Sequence, residues 1–141
     1  ATATIRDIEY DGSKGKTKGM QVVDDITAQL NVTSLNSSMD TLKTALPFAK
    51  YDDVTGKLSV GSDSVGVISD EAYLKNITMF AKTVKGEYKK ITLYNALSEN
   101  GLTFAAAPKA EGTIALNVYA HWDATDDTKN LFEIEDVESI E

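Results

Sequence analysis

The sequence predicts a mainly β protein, a sandwich or barrel of antiparallel strands with one short flanking α-helix at about residues 38–46. Three observations predict it. Ile26, Ala28, Leu30 and Val32 alternate with Thr27, Gln29, Asn31 and Thr33, and Ile114, Leu116, Val118 and Ala120 alternate likewise, which is the period-two pattern of strands with one buried face. Turn formers recur at short intervals, at Asp52-Asp53 with Gly56, Gly61-Ser62-Asp63, Gly66, Gly86, Glu99-Asn100-Gly101, Pro108 and Glu111-Gly112, a spacing that suits sandwiches and barrels. Finally, 141 residues with 42% apolar content suffice for one domain, 1–141, with a core that needs no disulfide or metal staple.

Taken in order, residues 2–10 are β-prone, but Ile5 and Ile8 have opposite parity, which predicts a strand with a bulge or bend. Residues 11–20 hold three glycines and three lysines and no apolar side chain before Met20, and read as an exposed flexible loop. One strand follows over 26–33. Asn36-Ser37-Ser38 then offers a helix N-cap, Met39, Leu42 and Leu46 fall at helical spacing, and Pro47 is a stop. Strands are predicted at 57–60, 73–84, 88–97, 102–106 and 113–121. Lys85-Gly86-Glu87 reads as a hairpin turn in which Gly86 supplies a positive φ. Residues 131–135 read as an edge strand whose outward glutamates discourage uncontrolled pairing.

The composition excludes several chemistries. With no cysteine there are no disulfides, thiolate zinc sites, iron–sulfur clusters or cysteine nucleophiles. No stretch reaches the roughly 20 apolar residues of a membrane span. With no basic, apolar signal segment at its start the chain is expected to be made in the cytoplasm, and Ala1 suits loss of an initiator methionine or, equally, a trimmed propeptide. The formal net charge of −8 disfavours general nucleic-acid binding, which depends on Lys and Arg neutralising phosphates. That charge is localised: residues 1–50 balance six basic against six acidic side chains, whereas 121–141 set one lysine against eight acids.

Motifs that carry chemistry fail on spacing. Gly12-Ser13-Lys14-Gly15-Lys16-Thr17 ends like a phosphate-binding loop, but Gly12 precedes Gly15 by three positions where that motif needs five, and a strand rather than a helix is expected to follow. His121 is the only histidine and has no second histidine or nucleophile elbow beside it, so it reads as a packing or interface residue. Asp123, Asp126 and Asp127, and Asp52-Asp53, lack calcium-loop spacing and read as acidic turns. Asn31-Val32-Thr33, Asn36-Ser37-Ser38 and Asn76-Ile77-Thr78 match the glycosylation pattern by chance. No catalytic residue, metal site or cofactor is expected, and the chain reads as a non-enzyme.

The order of a glycine-lysine loop, a long strand, a short helix, hairpins and an acidic end resembles the major tail tube proteins of siphophage-type bacteriophages. The resemblance is carried by Val23 to Ala28 through Leu46-Pro47-Phe48-Ala49, by Tyr73 to Lys82 with Lys89 to Ala96, and by Ala110-Glu111-Gly112 with Tyr119-Ala120-His121-Trp122. It implies a virion structural protein of the tail, made in the bacterial host's cytoplasm. Its sandwich and flanking helix would assemble as six-copy rings stacked into a hollow tube. The implied partners are copies of itself, other tail proteins at the tube ends, and phage DNA passing through the lumen without specific binding; no membrane is implied. In that family's arrangement Gly12 to Met20 takes the place of a ring-bridging loop and 123–141 that of a terminal arm.

The charge map adds a specific contact. Lys14, Lys16 and Lys18 are expected to meet Asp123, Asp126, Asp127, Glu133, Glu135, Asp136 and Glu138 of a neighbouring subunit, ordering both segments on assembly. Two classes of reading compete. One keeps the virion but makes the chain a neck, tail-terminator or capsid-decoration protein. The other is an Ig-like or lectin-like module whose Tyr88, Tyr94, Tyr119 and Trp122 contact carbohydrate; a hydrolase using Asp and Glu ranks last.

Overall fold

The computed structural model describes residues 1–35, 38–105 and 112–138. The turn markers Pro108 and Glu111, the cap residues Asn36 and Ser37, and 139–141 of the acidic end lie outside the described residues. The protein is mainly β, with antiparallel pairing throughout and one α-helix.

Strand β1 (Thr2–Asp7) pairs with β2 (Gln21–Thr27). Thr4 faces Asp25 but Ile5 faces Val23, so Asp24 is the extra residue of a bulge, which lies in β2 and not in the 2–10 strand where the parity of Ile5 and Ile8 predicts one. The ladder ends at Asp7 rather than at residue 10, although the Ile8 N–H still donates to the Met20 carbonyl at 2.7 Å.

The single strand expected over 26–33 is in fact two. It breaks at Ala28, which is 4% exposed, and the second part, β3 (Gln29–Ser34), leaves β2's partner and pairs with β9 (Thr113–Tyr119). The Ala28 carbonyl accepts from the Ala120 N–H at 3.0 Å, which fastens the break to the body. Alternation keeps its phase across such a switch, because the side-chain period depends on the strand itself and not on which strand lies beside it. In β3 and β9 the two predicted stripes meet: Leu30 lies opposite Val118 and Val32 opposite Leu116.

Helix α1 (Met39–Ala45) lies within one residue of the expected span at each end. Ser38 caps it, its Oγ accepting from the Thr41 N–H, and Asp40 and Lys43 complement the helix dipole at the two ends. It packs on β9 and on β7 (Tyr88–Ser98) and buries Ala45 completely. Strands β4 (Lys50–Asp52) and β5 (Lys57–Ser59) make a small hairpin of their own.

Strand β6 (Leu74–Lys82) turns into β7 through Thr83 and Glu87, which bond each other at 2.8 Å, with Gly86 at φ 89°. Strand β7 is central, with β6 along one side and β10 (Phe132–Val137) along the other. At its far end Leu97 and Ser98 pair with Tyr119 and Val118 of β9. Strand β9 is the second centre, with β3 on one side and β8 (Thr103–Ala105) opposite. The two three-stranded units stay open, so the sandwich-like arrangement forms and the closed barrel does not.

Composition suggests an ample core, yet little of the apolar content is buried. Among the described residues the buried apolar side chains are Ala28, Ala45, Leu93, Ala96, Leu97, Ile114, Val118, Ala120 and Leu131, four of them alanine. The chain exposes 10545 Å² for a mass of 15.3 kDa. A compact monomer of that mass exposes about 7,100 Å² by the usual scaling. The exposed apolar residues sit partly on the arm (Ile5, Val23, Ile26) and on strand faces (Val32, Leu74, Phe80, Ile134), and as often in loops, Val54, Val65, Val67 and Val84 among them.

Candidate assembly interface

The β1–β2 arm is amphipathic. Residues opposite each other across an antiparallel pair share a face, so Ala3 with Ile26 and Ile5 with Val23 form one mainly apolar side that ends in Asp7 with Gln21, while Thr2, Thr4, Arg6, Val22, Asp25 and Thr27 lie on the other. Among the described residues this apolar side stays exposed: Ile5 is 57% exposed, Val23 53% and Ile26 37%. The polar side carries the Arg6–Asp24 ion pair at 3.1 Å. This arm was not legible as a unit, because the sequence reading began its strand at Ile26; the β-prone Val22-Val23 pair was the available signal for a strand starting at Gln21.

The tip of the arm is exposed and built from two turns. The Ser13 N–H donates to the Tyr10 carbonyl and the Met20 N–H to the Thr17 carbonyl, both at 3.0 Å, and the third residue of each turn, Gly12 or Gly19, has φ near 85°. Tyr10 and Thr17 bond across the tip through their hydroxyls at 3.1 Å. After Thr17 comes a turn and then β2, so no helix dipole meets the Gly-Lys-Thr segment. Lys14, Lys16 and Lys18 are exposed there and form no ion pair among the described residues.

The acidic end is held by its own subunit. Asp136 pairs with Lys89 and Glu135 with Lys90, across the β10–β7 ladder, and these contacts raise both ammonium pKa values. Glu133 accepts from the Asn130 amide at 2.6 Å and from the Tyr94 hydroxyl at 2.9 Å, which lowers its pKa and raises that of the phenol. Asp123 accepts from Thr125 Oγ1 and from Lys129 Nζ, and Asp126 from Thr128, each closing a turn through the N–H two residues on; both carboxyls are held well below the usual range by these bonds. Asp52 closes the β4–β5 turn the same way through Val54 and Thr55. Asp127 and Glu138 alone of the seven expected contact acids have no such partner among the described residues. No group of three acidic or histidine side chains among the described residues converges as metal ligands would.

His121 is an orienting residue. Its Nδ1 lies 3.0 Å from the Asn95 carbonyl, which can only accept, and its Nε2 lies 2.6 Å from the Glu99 carboxylate. With both ring nitrogens engaged, it ties the end of β9 to β7 at the point where β7 changes partners. Of the aromatics, Tyr88 lies beneath the Lys82 ammonium at 5.5 Å and Tyr94 is bonded to Glu133, whereas Trp122 is 55% exposed.

Outer strand edges complete the free surface. Among the described residues β6 and β10 pair only with β7, and β3 only with β9, so each leaves one row of backbone donors and acceptors open. No family model, no curated protein and no solved structure matches the chain.

Proposed function

We propose that this chain is a non-enzymatic virion structural subunit that works by assembling with copies of itself, in the form of stacked rings making a hollow tail tube. The observation that carries the assembly half is the imbalance between surface and core: about 3,400 Å² more surface than a compact monomer needs, over a set of nine buried apolar side chains among the described residues, of which four are alanine. The apolar part of that surface is unfavourable in water by tens of calories per Å², and burying it against another copy removes the cost. The amphipathic arm and the open strand edges are the surfaces that would be covered. The tail tube form rests on the order of loop, strand, helix, hairpins and acidic end.

Within this reading the arm-tip lysines meet a neighbour's acids. Asp127 and Glu138 are the two best placed, because the other five acids already hold internal partners. The negative balance suits a lumen along which DNA slides without sticking.

Negative-stain microscopy with light scattering tests the reading directly. Rings or hollow tubes are expected, and a monodisperse monomer at high concentration and at every salt would overturn it. Replacing Lys14, Lys16 and Lys18 together by glutamate is expected to impair stacking or lower tube stability, and to remove its salt dependence; unchanged polymerisation across salt would remove the charged contact from the proposal.

A further inference from the structure

A cavity of about 450 Å³ opens where β7 changes partners, between the residues that follow β9 and the 3-10 turn Asp70–Ala72. Trp122, Tyr73, Asp70, Asn95, Asp123 and Thr125 line it. The volume is in the range of small-molecule sites, and the mixture of ring and polar groups is their usual chemistry.

The backbone itself marks the place. Asn95 has φ 47°, the only positive φ of a non-glycine among the described residues, and it lies inside an 11-residue strand. Such a conformation persists where surrounding structure enforces it, and ligand sites are where it gathers. Asn95 lines the cavity, and its Nδ2 donates to the His121 carbonyl at 3.3 Å, while Oδ1 receives no hydrogen bond among the described residues. The Asp70 carboxylate and the Tyr73 hydroxyl likewise have no partner among them.

The walls restrict what fits. Of the two acids that line the cavity Asp123 is paired with Lys129 at 2.9 Å, so Asp70 is the uncompensated charge, and with no Lys or Arg in the lining it disfavours phosphate, sulfate and carboxylate ligands. A quaternary ammonium needs several ring faces around it. Tyr73 is instead committed edge-to-face with His121, at 5.2 Å and 78°, which leaves Trp122 as the one open plate. A single apolar plate beside unpaired acceptors and a hydroxyl suits a ring with one C–H face and a rim of hydroxyls.

We propose that this cavity binds a neutral saccharide of one or two rings, stacked on Trp122, with hydroxyls donating to Asp70 and to Asn95 Oδ1 and accepting from the Tyr73 hydroxyl. The site belongs to one subunit and does not depend on assembly.

Trp122 is the only tryptophan, so its fluorescence reports on its own cavity. Glucose, galactose, N-acetylglucosamine and maltose are titrated to about 50 mM, since single-site sugar contacts give dissociation constants on the order of 1 mM. A saturable emission change with at least one of them is expected, weakened about tenfold in Asp70→Asn, the scale of one charge-assisted hydrogen bond. The Asp70 side chain makes no hydrogen bond or ion pair among the described residues, and Trp122→Phe, expected to weaken sugar binding in calorimetry, gives a second route. No saturable change with any sugar, a change that Asp70→Asn leaves untouched, or a response to tetramethylammonium and not to sugars would each overturn the proposal.

Discussion

The β1–β2 arm and the β7–β9 body use the same residue types in the same antiparallel pairing, and they end in opposite states. In the body, Ile114 and Val118 are wholly buried because α1 and neighbouring strands cover their face. In the arm, Ile5 and Val23 are as apolar and as β-prone, but no element packs closely over them. A two-stranded hairpin alone is marginal in water. What separates the two regions is a covering layer, and the arm's layer is missing from the subunit.

The comparison predicts a graded series of effects. Ile114→Ala opens a hole at the centre of the body and is expected to lower stability by about 2–5 kcal/mol, measured by urea unfolding. A cost below about 1 kcal/mol would mean that the body is as loosely packed as the arm. Asn95→Ala places an ordinary side chain at a left-handed position and is expected to cost about 1–2 kcal/mol, whereas Asn95→Gly should be close to neutral. If both variants unfold alike, the lost Nδ2 bond to His121 matters more than the backbone.

Changing Ile5 and Val23 together to threonine keeps the β-branched shape and removes the apolar face. Monomer stability is expected to move by less than about 0.5 kcal/mol, as for exposed sites generally, while assembly measured by light scattering is lost. Assembly that survives the double change would show that the arm is not a contact.

The smallest effect is a pH dependence. Asp52, Asp123 and Asp126 bind protons less readily folded than unfolded, because Thr hydroxyls and backbone N–H groups hold the charged form. Their contribution is therefore present above the ordinary Asp value of 3.8 and is lost as pH falls below it. Asp123→Asn should flatten that acid limb in a thermal-melt series, and an unchanged limb would assign the sensitivity to other carboxylates.

Local signals carried much of the fold. The Ser38 cap with Pro47 bounds α1 and Gly86 makes the β6–β7 turn; each depends on neighbours within a few residues, whereas the bulge expected from Ile5 and Ile8 falls at Asp24 of the partner strand. Alternation marked the buried face of β9 at Ile114 and Val118, and in β3 it holds for Leu30, whereas Ile26 and Val32 of the first stripe are exposed. The break at Ala28 was hidden, since alternation runs through it unchanged, and the arm was hidden with it. The cavity around Trp122 was invisible for a similar reason: Asp70, Tyr73 and Asn95 are far apart in sequence and carry no motif.

The sequence by itself determined the β class, the helix and its cap, the turns, the excess of acid at the C-terminal end, and the failure of the phosphate-loop, histidine and calcium patterns, because all of these follow from local sterics, hydrogen bonding and charge. Only the tertiary structure decided which strands pair, that the acids Glu133, Glu135 and Asp136 are held within the subunit, and that Ile5 and Val23 are left uncovered. Burial is a property of what lies on top of a residue, and a pattern along one strand does not say what that will be.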